Sequence, residues 1–90
     1  MEVYYVFMNF DPEYNRLRAD GSKKGNETLY AYLSNKHNRL LAELLRPNTY
    51  KKISSLAIID AFAVEITQEQ ASVLRSSKEV RLVEKNQEIA

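Results

Sequence analysis

The chemically reactive side chains of this ninety-residue chain are few and scattered. His37 is the single imidazole, which excludes a multi-histidine metal cluster and leaves at most one histidine base. Ser54, Ser55, Ser72, Ser76 and Ser77 stand in no nucleophile motif, and a Ser-His-acid arrangement depends on geometry that the letters alone do not supply. With no cysteine, thiol nucleophiles, disulfides and thiolate metal sites all disappear together. The acidic residues are dispersed, so no oxygen-ligand metal site is expected. Gly21 and Gly25 neither follow a clear strand nor show phosphate-loop spacing, and so form no nucleotide cradle. This inventory points away from self-contained catalysis and calls for no cofactor.

Two single features carry narrower expectations. His37 falls beside a leucine stripe, where the structural reading is a helix-edge ring with one nitrogen hydrogen-bonded. As the side chain that titrates near neutrality, it is also a candidate pH sensor. Asn26-Glu27-Thr28 is an N-glycosylation sequon, which makes Asn26 a candidate attachment site in a secreted chain. Thirteen Lys and Arg oppose twelve Asp and Glu, a formal charge of +1. Bulk charge therefore encodes no long-range attraction to nucleic acid or to an anionic membrane, and neither is an expected partner. No apolar run reaches the length of a bilayer span, and the N-terminus lacks the pattern of an intact signal peptide.

The elements that must position these residues follow from periodicity. Hydrophobic residues make up 44% of the chain and charged residues 28%, a balance typical of one small folded domain. Val3 to Phe10 reads as a strand rich in β-branched and aromatic residues. Residues 11–26, with Pro12, Gly21 and Gly25, read as a polar surface loop. From Glu27 a helix is expected, with Leu29, Leu33, Leu40 and Leu44 on one stripe, until Pro47 ends it. "YKKISSLAII" reads as a strand, Asp60-Ala61 as a tight turn, and "FAVEI" as a second strand with Phe62, Val64 and Ile66 on one face. Thr67 and Gln70 have capping-box spacing for a short helix carrying Ala71 and Leu74. In the last strand, Val80 and Leu82 oppose Arg81 and Val83.

The order βαββαβ predicts an α+β, ferredoxin-like domain: a four-stranded antiparallel sheet with two helices on one face. Ala61, Ala63 and Val83 are then expected on the uncovered face, where small side chains allow close approach of a partner. An exposed aromatic stripe on that face, involving Tyr4 or Tyr5, would favour single-stranded RNA instead.

In combination, "KHNRLLAELL", "TYKK" and "IIDAFAVEITQEQASVLRSSKEVRLVEKN" resemble the inhibitor I9 domain, the propeptide of subtilisin-like serine proteases, in its plant-type form. Asp60-Ala61 stands where such hairpins have an Asn-Gly type pair, and Gln68 where the following helix often begins with Pro. The resemblance implies a domain over residues 1–84 and an extended tail over residues 85–90. It implies that the open sheet docks on two helices of a subtilisin-like catalytic domain through Ala61, Ala63 and Val83. Glu84 would cap a helix N-terminus of that partner, with Asn86 at a second, usually acidic position. Gln87, Glu88, Ile89 and Ala90 would lie in the active-site cleft like a cleaved product. The implied role is that of an intramolecular chaperone and temporary inhibitor in the secretory pathway, extracellular or vacuolar, the catalytic residues belonging to the partner. A freestanding proteinase inhibitor with the same interface, and an RNA-binding or other ferredoxin-like interaction module, are the alternatives.

Overall fold

Backbone pairing turns the apolar N-terminal run into the middle of a sheet. The computed structural model describes residues 1–87. Seven elements follow in order: β1 (Glu2–Met8), α1 (Pro12–Arg18), α2 (Lys23–Leu44), β2 (Lys51–Leu56), β3 (Ala61–Ile66), α3 (Gln68–Arg75) and β4 (Val80–Lys85). The strands form one antiparallel sheet in the order β2-β3-β1-β4. β1 and β3 are central and β2 and β4 are the edges, as expected where two β-α-β crossovers interleave.

Tyr4, Val6 and Met8 from β1 meet Phe62, Val64 and Ile66 from β3 and Val80 and Val83 from β4 in one core. Leu40, Leu41 and Leu45 close it from the α2 side, and Ala71 and Leu74 from α3. Both helices therefore cover the same sheet face, and burying these side chains is the main force holding the layers together. The Thr67 hydroxyl accepts from Gln70 N at 3.1 Å while the Gln70 side chain accepts from Thr67 N at 2.9 Å, the capping box that starts α3. Gln70 also reaches across to the Thr49 hydroxyl at 2.9 Å, fastening the turn that follows α2.

The structure corrects the expectation of two helices and a polar loop. Residues 11–26 contain the whole of α1, and α2 begins at Lys23 rather than Glu27. Asp11 caps α1 by accepting from Glu13 N at 3.0 Å, and Pro12 fits the first turn, where its missing N–H is no loss. Tyr14 and Leu17 on α1 pack with Leu29, Leu33 and Tyr32 on α2 into a second, smaller core. Ser22 caps α2 through Gly25 N at 3.0 Å. Gly25 is required by close approach, because a Cβ there would overlap the Asp20 carboxyl group and stand 2.8 Å from the Asp20 carbonyl oxygen.

Two further corrections concern register. The β2–β3 turn occupies residues 57–60, so Ala61 opens a strand instead of closing a turn. Pairing also slips by one residue at Ile53 in β2 and at Arg81 in β4, a bulge on each edge strand.

Candidate functional site

The face away from the helices is built by the alternate residues of the central strands. Tyr5 pairs with Ala63 and Glu84, and Phe7 with Ala61 and Leu82. On the far side of β3, Ser54 lies opposite Ala63 and Leu56 opposite Ala61. Ala61 and Ala63 thus share the open face, yet Ala61 is 0% exposed because taller neighbours on β1 and β2 flank its methyl group. On this face the two alanines lie between Tyr5 and Phe7 on one side and Ser54 and Leu56 on the other.

Val83 is not on that face. Strict alternation places it with Arg81, but the bulge adds a residue to β4, so that Val80 pairs with Met8 and Val83 with Val6. Both valines enter the core beneath the helices. Arg81 and Leu82 take the open side, with Leu82 opposite Phe7 at 39% exposure. The period-two reading failed here because a bulge carries two residues against one.

Glu84 is exposed beside Tyr5, aimed outward on an edge strand. Asn86 continues the β4 path, donating its backbone N–H to the Val3 carbonyl at 2.8 Å, and both Asn86 and Gln87 are exposed. Glu88, Ile89 and Ala90 lie outside the described residues. An ion pair of Lys85 with Glu2 at 2.6 Å ties the root of this tail to β1.

His37 lies inside the molecule at 0% exposure, with both ring nitrogens engaged rather than one. Nε2 is 2.8 Å from Asp60 Oδ1 and Nδ1 is 2.8 Å from Ser55 Oγ, while the ring tilts against Phe62 at 4.7 Å. A neutral ring donating to Asp60 and accepting from Ser55 satisfies every partner. Burial pushes the imidazole below its ordinary value; Asp60 works against that shift, and the charges of Lys52 and Lys36 add to it. Asp60 is 6% exposed and also pairs with Lys36, which bonds Asp11 at 2.9 Å, and the Tyr32 hydroxyl donates to Asp11 at 2.6 Å. Burial raises the Tyr32 phenol, and the Asp11 bond adds to this, to about 12. Burial also works to raise Asp11, but the bonds from Tyr32 and Lys36 outweigh it and hold the carboxyl below its usual range.

This chain of charges joins α1, α2 and the β2–β3 turn, and sequence reasoning found only its histidine. Asp11-Pro12-Glu13, an N-cap followed by a proline, was the signal for α1. Tyr32 and Lys36, four apart on one helix face, were the signal for a shared partner. The array is a structural brace: its polar side chains are partnered, and no group of three or more His, Cys, Asp and Glu suited to a metal ion occurs among the described residues. Asn26 is exposed in the first turns of α2, where its N–H donates to Ser22 O at 2.9 Å and the Thr28 hydroxyl bonds Lys24 O at 3.0 Å. The sequon therefore has helical geometry in the folded domain.

The model of the peptidase inhibitor I9 family matches residues 17–90. The subtilisin-like protease SBT2.5 of Arabidopsis thaliana is 38% identical over 104 aligned residues, which take in 94% of this chain and 12% of the relative. The chain thus spans only 12% of the length of that curated relative. No solved structure matches the chain.

Proposed function

Because this chain belongs to the peptidase inhibitor I9 family, a non-catalytic one, we propose that it is the propeptide domain of a subtilisin-like serine protease, guiding the folding of the catalytic domain and temporarily blocking its active site. The observation that carries this reading is the family match over most of the chain, joined to a sheet whose second face has no helix of the described residues upon it. Such a face offers half-buried Tyr5 and Phe7 at its centre and a carboxylate, Glu84, at its rim. Docked there, Glu84 would accept hydrogen bonds from the unpaired amides at a helix N-terminus of the protease, favoured by the helix dipole, with Asn86 as a neutral second cap. The tail from Gln87 to Ala90 then runs from the β4 edge into the substrate cleft, and the folded body raises its local concentration there. Secretion, to an extracellular or vacuolar destination, follows from the same reading.

A freestanding inhibitor would use the same surface. Tyr5 and Phe7 lie on the open face half-buried and Tyr4 is in the core, so the exposed aromatic stripe that a base-stacking RNA module needs does not form among the described residues. The test is inhibition of mature subtilisin-like proteases, SBT2.5 included, by Met1–Ala90 and by a form lacking Gln87 to Ala90. Tail-dependent inhibition is expected, with Glu84→Gln weakening it. Absence of both inhibition and binding, with salt-sensitive RNA retention in their place, overturns the reading.

A further inference from the structure

The bulge that turns Val83 inward also brings a cation to the open face. Arg81 is exposed, and its guanidinium carbon stands 5.6 Å from the centroid of the Phe7 ring. The ion pairs among the described residues join Arg16 to Glu13, Lys36 to Asp11 and Asp60, His37 to Asp60, and Lys85 to Glu2. Arg81 thus has no carboxylate of its own within the described domain.

Resting on the docking reading above, we propose that Arg81 is a specificity-determining contact, pairing with an Asp or Glu on the surface of the catalytic domain. Three physical arguments converge. An arginine already held over an aromatic ring has given up part of its rotamer freedom, so docking costs it less than it costs a free surface arginine. The guanidinium meets a ring through its face and a carboxylate through its N–H edge, so both contacts coexist. Leu82 and Phe7 beside it supply apolar surface that shields the pair from water, the setting in which an interfacial arginine counts most.

The placement also has a direction. Arg81 and Glu84 are separated by three residues along β4, on the order of 10 Å at the rise of a strand. Along β4 the face therefore carries a positive charge at the Phe7 end and a negative one beside Tyr5. A matching catalytic domain needs the reverse order: a carboxylate about 10 Å from the amides that receive Glu84. A domain with a lysine there is repelled, which lets this propeptide discriminate among proteases that share the same helices.

The experiment measures binding of Met1–Ala90 to the SBT2.5 catalytic domain and to a panel of other subtilisin-like domains, the catalytic serine of each replaced by alanine to prevent digestion. Wild type, Arg81→Gln, Arg81→Glu and Leu82→Ala are compared at about 50 mM and about 300 mM salt, with circular dichroism confirming the fold of each. Arg81→Glu is expected to weaken the tightest pair about tenfold or more at low salt, Arg81→Gln less, with the gap narrowing at high salt. Arg81→Glu within about twofold of wild type while Leu82→Ala weakens binding overturns the Arg81 proposal and leaves face docking standing. Failure of wild type to bind any domain overturns both.

Discussion

Asp60 is the residue whose loss the fold should feel most among its polar positions. Its carboxylate, on a side chain 8% exposed, receives the His37 Nε2–H at 2.8 Å and the Lys36 ammonium. Asp60→Ala leaves a buried imidazole N–H unpaired and takes one of two carboxylates from Lys36. Breaking a buried pair costs about 3–5 kcal/mol, and because Lys36 keeps Asp11 at 2.9 Å the low end applies, about 3 kcal/mol. Asp60→Asn keeps an acceptor for His37 without the charge and should cost about half as much. In a domain of this size 1 kcal/mol moves the melting temperature by about 4–8 °C, so the alanine variant should melt roughly 12–24 °C lower.

A pH signature accompanies this. His37 is held below its ordinary 6.5 by burial, against the pull of Asp60, so just below that pH the unfolded chain binds more protons than the folded one. Stability is then full above about 6.5 and falls with acid until the folded-state value is passed. Removing Asp60 removes the opposing pull, so the acid loss should deepen and extend to lower pH. Urea unfolding of wild type, Asp60→Ala and Asp60→Asn across this range checks both parts. An alanine variant within about 1 kcal/mol of wild type at neutral pH, or an acid loss no larger than wild type's, would refute the account of the brace.

Val83→Ala removes two buried methyl groups and should cost about 2 kcal/mol in chemical unfolding, whereas a valine on the open face would cost little. Gly25→Ala, which in an open helix gains about 1 kcal/mol, should instead destabilise by roughly 1–3 kcal/mol, because the added methyl meets Asp20; thermal melts decide the sign. Thr67→Ala should lose about 1 kcal/mol through the α3 cap, measured by the same melts. An oligosaccharyltransferase offered the folded domain should leave Asn26 unmodified, because the sequon sits in a helix; mass spectrometry of folded and denatured chain separates the two outcomes.

Much of the architecture was legible because local signals agreed with the tertiary answer. Phe62, Val64 and Ile66 alternate into the core as their spacing dictates, and Thr67 with Gln70 starts α3 at the expected residue. Two places were not legible. In residues 11–26 the glycines and charges outweighed the cap at Asp11 and the proline behind it, because seven residues are too few to show a full apolar stripe. In β4 the alternation of Val80, Leu82 and Val83 is ambiguous until the partner strand reveals the slipped register, and one slip moves Val83 across the sheet. The open side of the sheet was therefore readable at Ala61 and Ala63 but not in β4, where Val83 turns inward and Arg81 and Leu82 take its place. His37 was visible as a letter, whereas Asp60 and Lys36, far from each other in sequence, declared themselves only once α2 and the turn were packed together.

The two edge bulges have a consequence for the domain on its own. An outer strand with an unbroken row of N–H and C=O groups is a template on which another chain can grow, copy after copy. Here β2 interrupts that row at Ile53 and carries Lys51 and Lys52, and β4 interrupts it at Arg81. Growth of one copy upon another through these margins is thereby discouraged.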